Sequence, residues 1–365
     1  MSGDASSVSA RRKDDHVRLA AAQQDARVRG NEFDDAEFVH HALGAIDEQA
    51  VSLETAVARW RWRAPLYING MTGGGAESER VNRELAIAAR ENGIPMASGS
   101  VAIALDDERA ARGFRVIREE NPDGLVFANL GIGRTGDEAR RAVDLLAADA
   151  LQLHLNAVQE TVMPEGTREF SSWRAALEEV VAASPVPVIV KEVGFGLSRS
   201  TLALLADLGV EVADVAGVGG TDFAAIEAAR RDDGALGELA GFGQSALACL
   251  LDAPSHSPHL LASGGVRHPL DVVKALALGA EAIGAAGAFL RPALSGEAGA
   301  ASRVVGEWLQ QLHQLLALLG APTPHALVRS DVLLRGRLRE FCELRGIDVG
   351  AYARRSESIQ GERTT

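Results

Sequence analysis

The sequence is short of cysteines, aromatic residues and positive charge, and each shortage removes a class of protein. Its two cysteines, Cys249 and Cys342, lie far apart in helical patterns. They cannot supply a disulfide framework or zinc spacing, and they read as buried thiols in a reducing compartment. Aromatic residues make up 4% of the chain against 47% hydrophobic residues in all. Such a core suits helices packed closely on a sheet better than an aromatic-rich β-sandwich. The formal net charge is -13, which argues against nucleic acid or an anionic membrane as partner. A few local Arg and Lys residues can still make one pocket positive. No apolar run is long enough to span a bilayer and no charged-then-apolar leader opens the chain. The expectation is therefore a cytoplasmic protein without membrane contact.

What is present is a rhythm. From Pro65 onward, eight short apolar runs alternate with amphipathic helical patterns. The runs are 65–69, 94–98, 125–129, 150–154, 186–191, 210–215, 259–263 and 281–285. Helical patterns include 80–92, 137–148, 173–183 and 198–208, with Gly93, Gly209 and Gly279 placed to close helices in the left-handed conformation. Eight such units predict an α/β fold, a (β/α)8 barrel, with a doubly wound sheet as the alternative. Two further helices fit the insert at 222–231 and 244–252. A leucine-lined helix at 303–319 and another from about Ala326 to Arg345 would pack outside the barrel or against another subunit. Residues 1–10 read as a disordered tail, 11–345 as one barrel domain with an N-terminal arm and C-terminal helices, and 346–365 as a polar mobile tail. His40 and His41, in an apolar setting, read as packing residues.

Active sites of such barrels lie where the strands end. Nearly every run here ends in glycine or a small polar residue: Gly70 to Gly75, Gly99-Ser100, Asn129-Leu130-Gly131, Gly217 to Thr221, Ser263 to Arg267 and Gly284 to Gly287. Glycine turns let backbone N–H groups approach an anion, and a following helix N-terminus favours negative charge. The alternative is that glycine simply makes tight turns. Lys191 is the one cation at a strand end before the seventh run. It could stabilise an anionic flavin ring, form a Schiff base, or pair structurally with Glu192 or Asp214. The run His154-Leu155-Asn156-Ala157-Val158-Gln159-Glu160 is costly to bury without a purpose. Glu160 is the metal candidate, since one carboxylate plus substrate oxygens and waters is a usual way to hold Mg²⁺. The basic cluster Arg11 to Lys13 with His16 suits a flexible arm closing over an anionic substrate, the alternative being a solvated charged tail.

Together these stretches resemble the FMN-dependent type 2 isopentenyl-diphosphate isomerase family, and Gly241 to Ser245 and Cys249 to Ala253 resemble its actinobacterial members in particular. The similarity runs from about residue 11 to 345. His154-Leu155-Asn156 with Gln159-Glu160, and Lys191-Glu192-Val193-Gly194 with Gly196, are its specific parts; Ser263 to Arg267 is shared with other FMN barrels. The resemblance implies interconversion of isopentenyl and dimethylallyl diphosphate with reduced FMN, NADPH as reductant and Mg²⁺. It implies FMN contacts from Gly70, Met71, Thr72, Gly73, Ser100, Asn129, Lys191, Thr221, Gly264, Gly265, Val266, Ala286 and Gly287. Arg12, Lys13 and His16 would hold the diphosphate, helped by His154 and Asn156. Gln159 would border the reacting carbons, with Gln159 and His154 as catalytic candidates and Glu160 binding Mg²⁺. A homotetramer or homo-octamer is also implied. One departure stands out: many relatives carry a diphosphate-binding arginine where this chain has Ala102, leaving Arg267 or Arg134 as possible substitutes. Competing readings are an FMN-dependent 2-hydroxyacid oxidase, which needs a His–Arg pair near the seventh strand, and a flavin or phosphate sensor without catalysis. A nucleotide-oxidising relative would need a cysteine on a loop, and neither cysteine sits on one.

Overall fold

The computed structural model describes residue 23 and residues 30–70, 72–73, 76–231 and 233–357. The eight apolar runs become eight parallel strands in a closed barrel. They are β1 Leu66–Ile68, β2 Met96–Ser100, β3 Val126–Gly131, β4 Ala150–Leu155, β5 Val188–Glu192, β6 Val212–Asp214, β7 His259–Ser263 and β8 Ala282–Ala285. β8 pairs back onto β1, with Ile283 opposite Leu66 and Ala285 opposite Ile68, so the barrel has no open edge.

Strand alternation decides what fills it. Tyr67, Phe127, Ile189, Val212 and Leu261 face inward and form one apolar layer with Trp62 and Val57. Trp60 and Trp62 belong to a hairpin, Thr55–Val57 with Trp60–Trp62, that plugs this end. Trp62 packs edge-on against Tyr67 at 5.9 Å and beside Phe127 at 6.0 Å. Two residues further along the same strands, the inward positions are Asn69, Asn129, Lys191, Asp214 and Ser263, all buried. The barrel is thus oily at one end and polar at the other.

Outward-facing Leu, Val and Ala of the strands pack against the apolar faces of helices Ala76–Asn92, Glu108–Glu120, Gly136–Leu146, Trp173–Ala183, Arg199–Asp207 and Pro269–Ala277. Side chains of Asp107, Thr135 and Ser198 cap three of these helices, satisfying amide groups that have no partner within the helix. Gly93, Gly209 and Gly279 take positive φ, as the sequence predicts. The insert before β7 holds the two expected helices, Phe223–Ala229 and Ala246–Leu251.

The C-terminal region meets expectation in its first helix and departs from it after that. Helix Ala300–Leu318 packs on Ala76–Asn92 and Pro269–Ala277 of its own chain, burying Leu312 and Leu316. The single helix expected from Ala326 to Arg345 is broken into a 3-10 turn, Pro324–Arg329, a strand, Val332–Leu334, and a helix, Gly336–Leu344. The strand pairs antiparallel with Ala36–Phe38; a β-partner almost 300 residues away overrides the local helical pattern. Part of the expected tail is also folded: Val349–Ala353 is helical, Arg355 donates to the Ala277 carbonyl at 2.6 Å, and Ser356 donates to Asp331 through its N–H and hydroxyl. His40 and His41 are exposed rather than packed, and His41 Nε2 lies 2.9 Å from Asp331 Oδ2. Residues 1–10 and 358–365 lie outside the described residues.

Candidate active site

The polar end opens into a cavity of about 1190 Å³. A drug-sized ligand fills roughly 300–1,000 Å³, so there is room for a cofactor and a small substrate together. Gly70, Thr72, Gly73, Ser100, Asn129 and Lys191 line it from β1, β2, β3 and β5. Thr221, Gly264, Gly265, Val266, Ala286 and Gly287 line it from the later strands, and His154, Asn156, Gln159 and Glu160 from β4. Met71, Arg12, Lys13 and His16 lie outside the described residues.

The β4 run divides its labour. His154 is the penultimate residue of the strand and Asn156 precedes the short helix Ala157–Val162, which places Gln159 and Glu160 one turn later. Asn129 donates its Nδ2 to Gln152 Oε1 at 3.2 Å and turns Oδ1 to His154 Nδ1 at 2.8 Å. A carbonyl oxygen only accepts, so His154 carries its hydrogen on Nδ1. Its Nε2 lies toward Gly131, where a side chain would come within 3.0 Å.

Asn156 Nδ2 donates to Glu160 Oε1 at 2.9 Å and the Thr167 N–H to Oε2 at 2.8 Å. Both bonds orient the carboxyl group while leaving lone pairs for a cation. Among the described residues no three His, Cys, Asp or Glu side chains form a metal cluster. A cation at Glu160 therefore needs ligand oxygens and water to complete its shell, which fits Mg²⁺ better than zinc.

Gln159 donates Nε2 to Glu227 Oε1 at 3.1 Å, leaving its carbonyl oxygen as the other end of the amide. Glu227 is fully buried and ion-paired with Arg230, which also reaches Glu165 at 3.0 Å. Sequence reasoning missed Glu227. Its signal was one carboxylate in an otherwise apolar stretch, Phe223 to Ala229.

On the opposite wall, glycine serves two purposes. A Cβ on Gly99 would lie 1.7 Å from the Thr72 carbonyl oxygen, and one on Gly264, at φ +89°, 1.9 Å from that of Gly217. These glycines let neighbouring strand-end loops touch. The resulting concavity of Gly264, Gly265 and Gly287, with helix Gly287–Leu294 beginning there, suits a phosphate monoester such as that of FMN. Buried Lys191 donates to Asn69 Oδ1 at 2.8 Å and lies 3.9 Å from Asp214 Oδ2. Burial pushes the Lys191 pKa down, while Asp214 and Glu192 pull it back up. Glu192 accepts N–H bonds from Val193, Gly194 and Phe195 through one oxygen. Burial nevertheless raises its pKa to about 7.

Of the two arginines considered as substitutes at Ala102, Arg267 is committed. Asp34 and Asp271 grip its guanidinium at 2.7–3.1 Å, and the bond from Arg267 holds the Asp34 carboxyl below its usual range. Arg134 lines the cavity with one bond to Glu138, at 2.8 Å. The preceding segment is fastened across the mouth. Asn31 donates to the Gly265 carbonyl at 2.7 Å, Lys274 to that of Phe33 at 2.8 Å, and the Gln23 amide pairs with the Asp222 backbone at 2.9 and 3.2 Å. His268, which a hydroxyacid oxidase would need here, stands at the N-cap position of helix Pro269–Ala277 without a side-chain capping bond and is not among the residues lining the cavity. Cys249 is buried in a helix, its thiol pKa pushed up to about 12.

The model of the FMN-dependent dehydrogenase family matches residues 134–334. Among solved structures, a mandelate oxidase mutant with the monooxide FMN adduct superposes with a TM-score of 0.59 at 18% identity, over 88% of this chain and 92% of that one. The flavin-binding domain of baker's yeast flavocytochrome b2 gives 0.61 at 16% identity, over 86% and 78%. At these identities the likeness shows the fold. The isopentenyl-diphosphate delta-isomerase of Kitasatospora griseola is 57% identical over 98% of both chains, and that of a Streptomyces species 55% identical over 98% of both. The Staphylococcus epidermidis enzyme of that name is 41% identical over 93% of this chain and 97% of its own. With more than half of its residues shared along nearly its whole length, and an FMN-type barrel to hold them, this chain belongs to the FMN-dependent isopentenyl-diphosphate delta-isomerase family.

Proposed function

We propose that this chain interconverts isopentenyl and dimethylallyl diphosphate by an allylic proton shift, with reduced FMN, NADPH as reductant and Mg²⁺ at Glu160, in isoprenoid biosynthesis. The observation that carries the reading is the grouping of His154, Asn156, Gln159 and Glu160 on one wall of the cavity, opposite a glycine-lined phosphate seat. Moving a double bond by one carbon adds a proton at one carbon and removes one from another, through charge that is positive or nearly so at a tertiary carbon. Reduced FMN, when bound, supplies an electron-rich ring able to offset that charge and exchange a proton.

The protein's own part is to bind, orient and exclude water. His154, protonated on Nδ1, offers Nε2 to a diphosphate oxygen as a donor when the ring is doubly protonated. Asn156 orients Glu160, which would hold Mg²⁺, and that ion would supply positive charge to offset the diphosphate. Gln159, with its nitrogen spent on Glu227, turns an acceptor to the hydrocarbon end. That acceptor favours positive charge and can take a proton, which the buried Glu227 would relay away. Diphosphate contacts remote from the reacting carbons position a small alkene that has little binding energy of its own. Arg12, Lys13 and His16 complete this clamp in the same reading, and the family resemblance separately implies a homotetramer or homo-octamer.

The test is an isomerase assay with photoreduced or NADPH-reduced enzyme against oxidised enzyme, with and without Mg²⁺. Activity confined to the reduced, Mg²⁺-supplied samples is expected. Equal activity of oxidised enzyme overturns the cofactor state, and a purified protein that takes up no FMN overturns the reading.

A further inference from the structure

Beneath the cavity floor lies a buried carboxylate with no task in the reaction as described. Asp214 is inaccessible to solvent, on the inner face of β6. It draws in groups from two other strands and from the loop after its own. Tyr67 Oη donates to it at 2.6 Å, Ser263 Oγ at 2.8 Å and Asn69 Nδ2 at 3.3 Å, and the Ala216 N–H at 3.1 Å. β1 and β6 are not neighbours in the barrel, so these bonds cross its interior.

The orientation of Asn69 follows. A carboxylate only accepts, so the Asn69 nitrogen must face Asp214 and its oxygen must face elsewhere. That oxygen receives Lys191 Nζ at 2.8 Å and the Gly70 N–H at 3.0 Å. Asp214 therefore reaches Lys191 twice: as a charge 3.9 Å away and through the amide it aligns. A lysine this buried loses its proton readily unless a fixed negative charge opposes the cost of desolvation. The other titratable groups near it are Glu192, whose carboxylate is turned to its own loop N–H groups, His154, its partner across the β4–β5 ladder, and Tyr67 behind Asp214.

We infer that Asp214 is a positioning residue that keeps the Lys191 ammonium charged and aimed into the cofactor cavity, where it favours the reduced, anionic form of bound FMN. The inference rests on the FMN reading above and names how this barrel tunes that cofactor. Asp214 is not among the residues that line the cavity.

The experiment compares the midpoint potential of bound FMN in wild type, Asp214→Asn, Lys191→Met and the double variant, at pH 6.5 and 8.5. Asp214→Asn is expected to weaken the preference for reduced over oxidised FMN by about tenfold at pH 8.5, about 30 mV for a two-electron couple, and by less at pH 6.5. In the Lys191→Met background the same substitution should have no further effect. An Asp214→Asn protein with the wild-type potential at both pH values overturns the inference. So does an equal shift with Lys191 absent, which a merely structural role would give. If Asp214→Asn does not fold, Asn69→Leu carries the test: a smaller shift in the same direction supports the inference and an unchanged potential overturns it. A wild-type protein that binds no FMN fails on the cofactor reading itself, a distinct result from a yellow protein whose variants do not shift.

Discussion

The two ends of the barrel are built from the same strands and differ by one alternation step. At one end Tyr67, Phe127, Ile189, Val212 and Leu261 close on Trp62. Two residues on, Asn69, Asn129, Lys191, Asp214 and Ser263 occupy the same inward face. The apolar layer can stand alone, since each side chain needs only neighbours of the right volume. The polar layer cannot, because each buried donor or acceptor needs a specific partner. The oily end should therefore report on stability and the polar end on chemistry, and each substitution below tests that division.

The largest effect is expected at the polar end. Glu160→Gln should lower turnover on the order of a hundredfold or more, while thermal unfolding stays near wild type. A variant that loses both together would show that Glu160 holds the loop around Thr167 rather than a cation.

Next comes Phe127→Ala at the oily end. It should destabilise the fold by about 3–5 kcal/mol, read by urea unfolding, with KM unchanged in the surviving folded protein. A large KM change would mean that the layers are coupled.

Glu192 sits between the two regimes and gives a pH signature. Its folded-state pKa of about 7 lies above the ordinary carboxylate value of 4.5, so the folded protein binds the proton more tightly than the unfolded chain. That contribution is full below about pH 4.5 and is lost as pH rises through 7. Wild type should lose up to about 3 kcal/mol across this window relative to Glu192→Gln, measured by unfolding at pH 5 and 7.5. Parallel curves would place the Glu192 proton elsewhere.

The smallest effect is expected far from both ends. His41→Ala removes an exposed partner of Asp331 and should cost no more than about 1 kcal/mol.

This contrast also explains what could be read from the sequence. The strands and helices were legible because each carries its own periodicity, and glycine at the strand ends marked the mouth. The His154 to Glu160 run was legible because polar residues at the end of an apolar strand need a reason. Glu227 was not, since one carboxylate among apolar residues reveals nothing of its partners until the strands close, and Asp214 was legible only as a possible ion-pair partner of Lys191. The strand Val332–Leu334 read as helix for a similar reason. Its conformation depends on Ala36–Phe38, and no local pattern records a partner at that distance.

That pairing also bears on how the protein comes into being during synthesis. A nascent chain that has not yet exposed Leu334 has no partner for Ala36–Phe38. The adjoining residues Asn31 to Asp34 are the ones fastened to Gly265 and Arg267 at the mouth. The barrel can begin to close while translation continues, since its βα units meet in sequence order. The segment at the mouth, however, gains the partner of its adjoining strand only once Val332–Leu334 has been made.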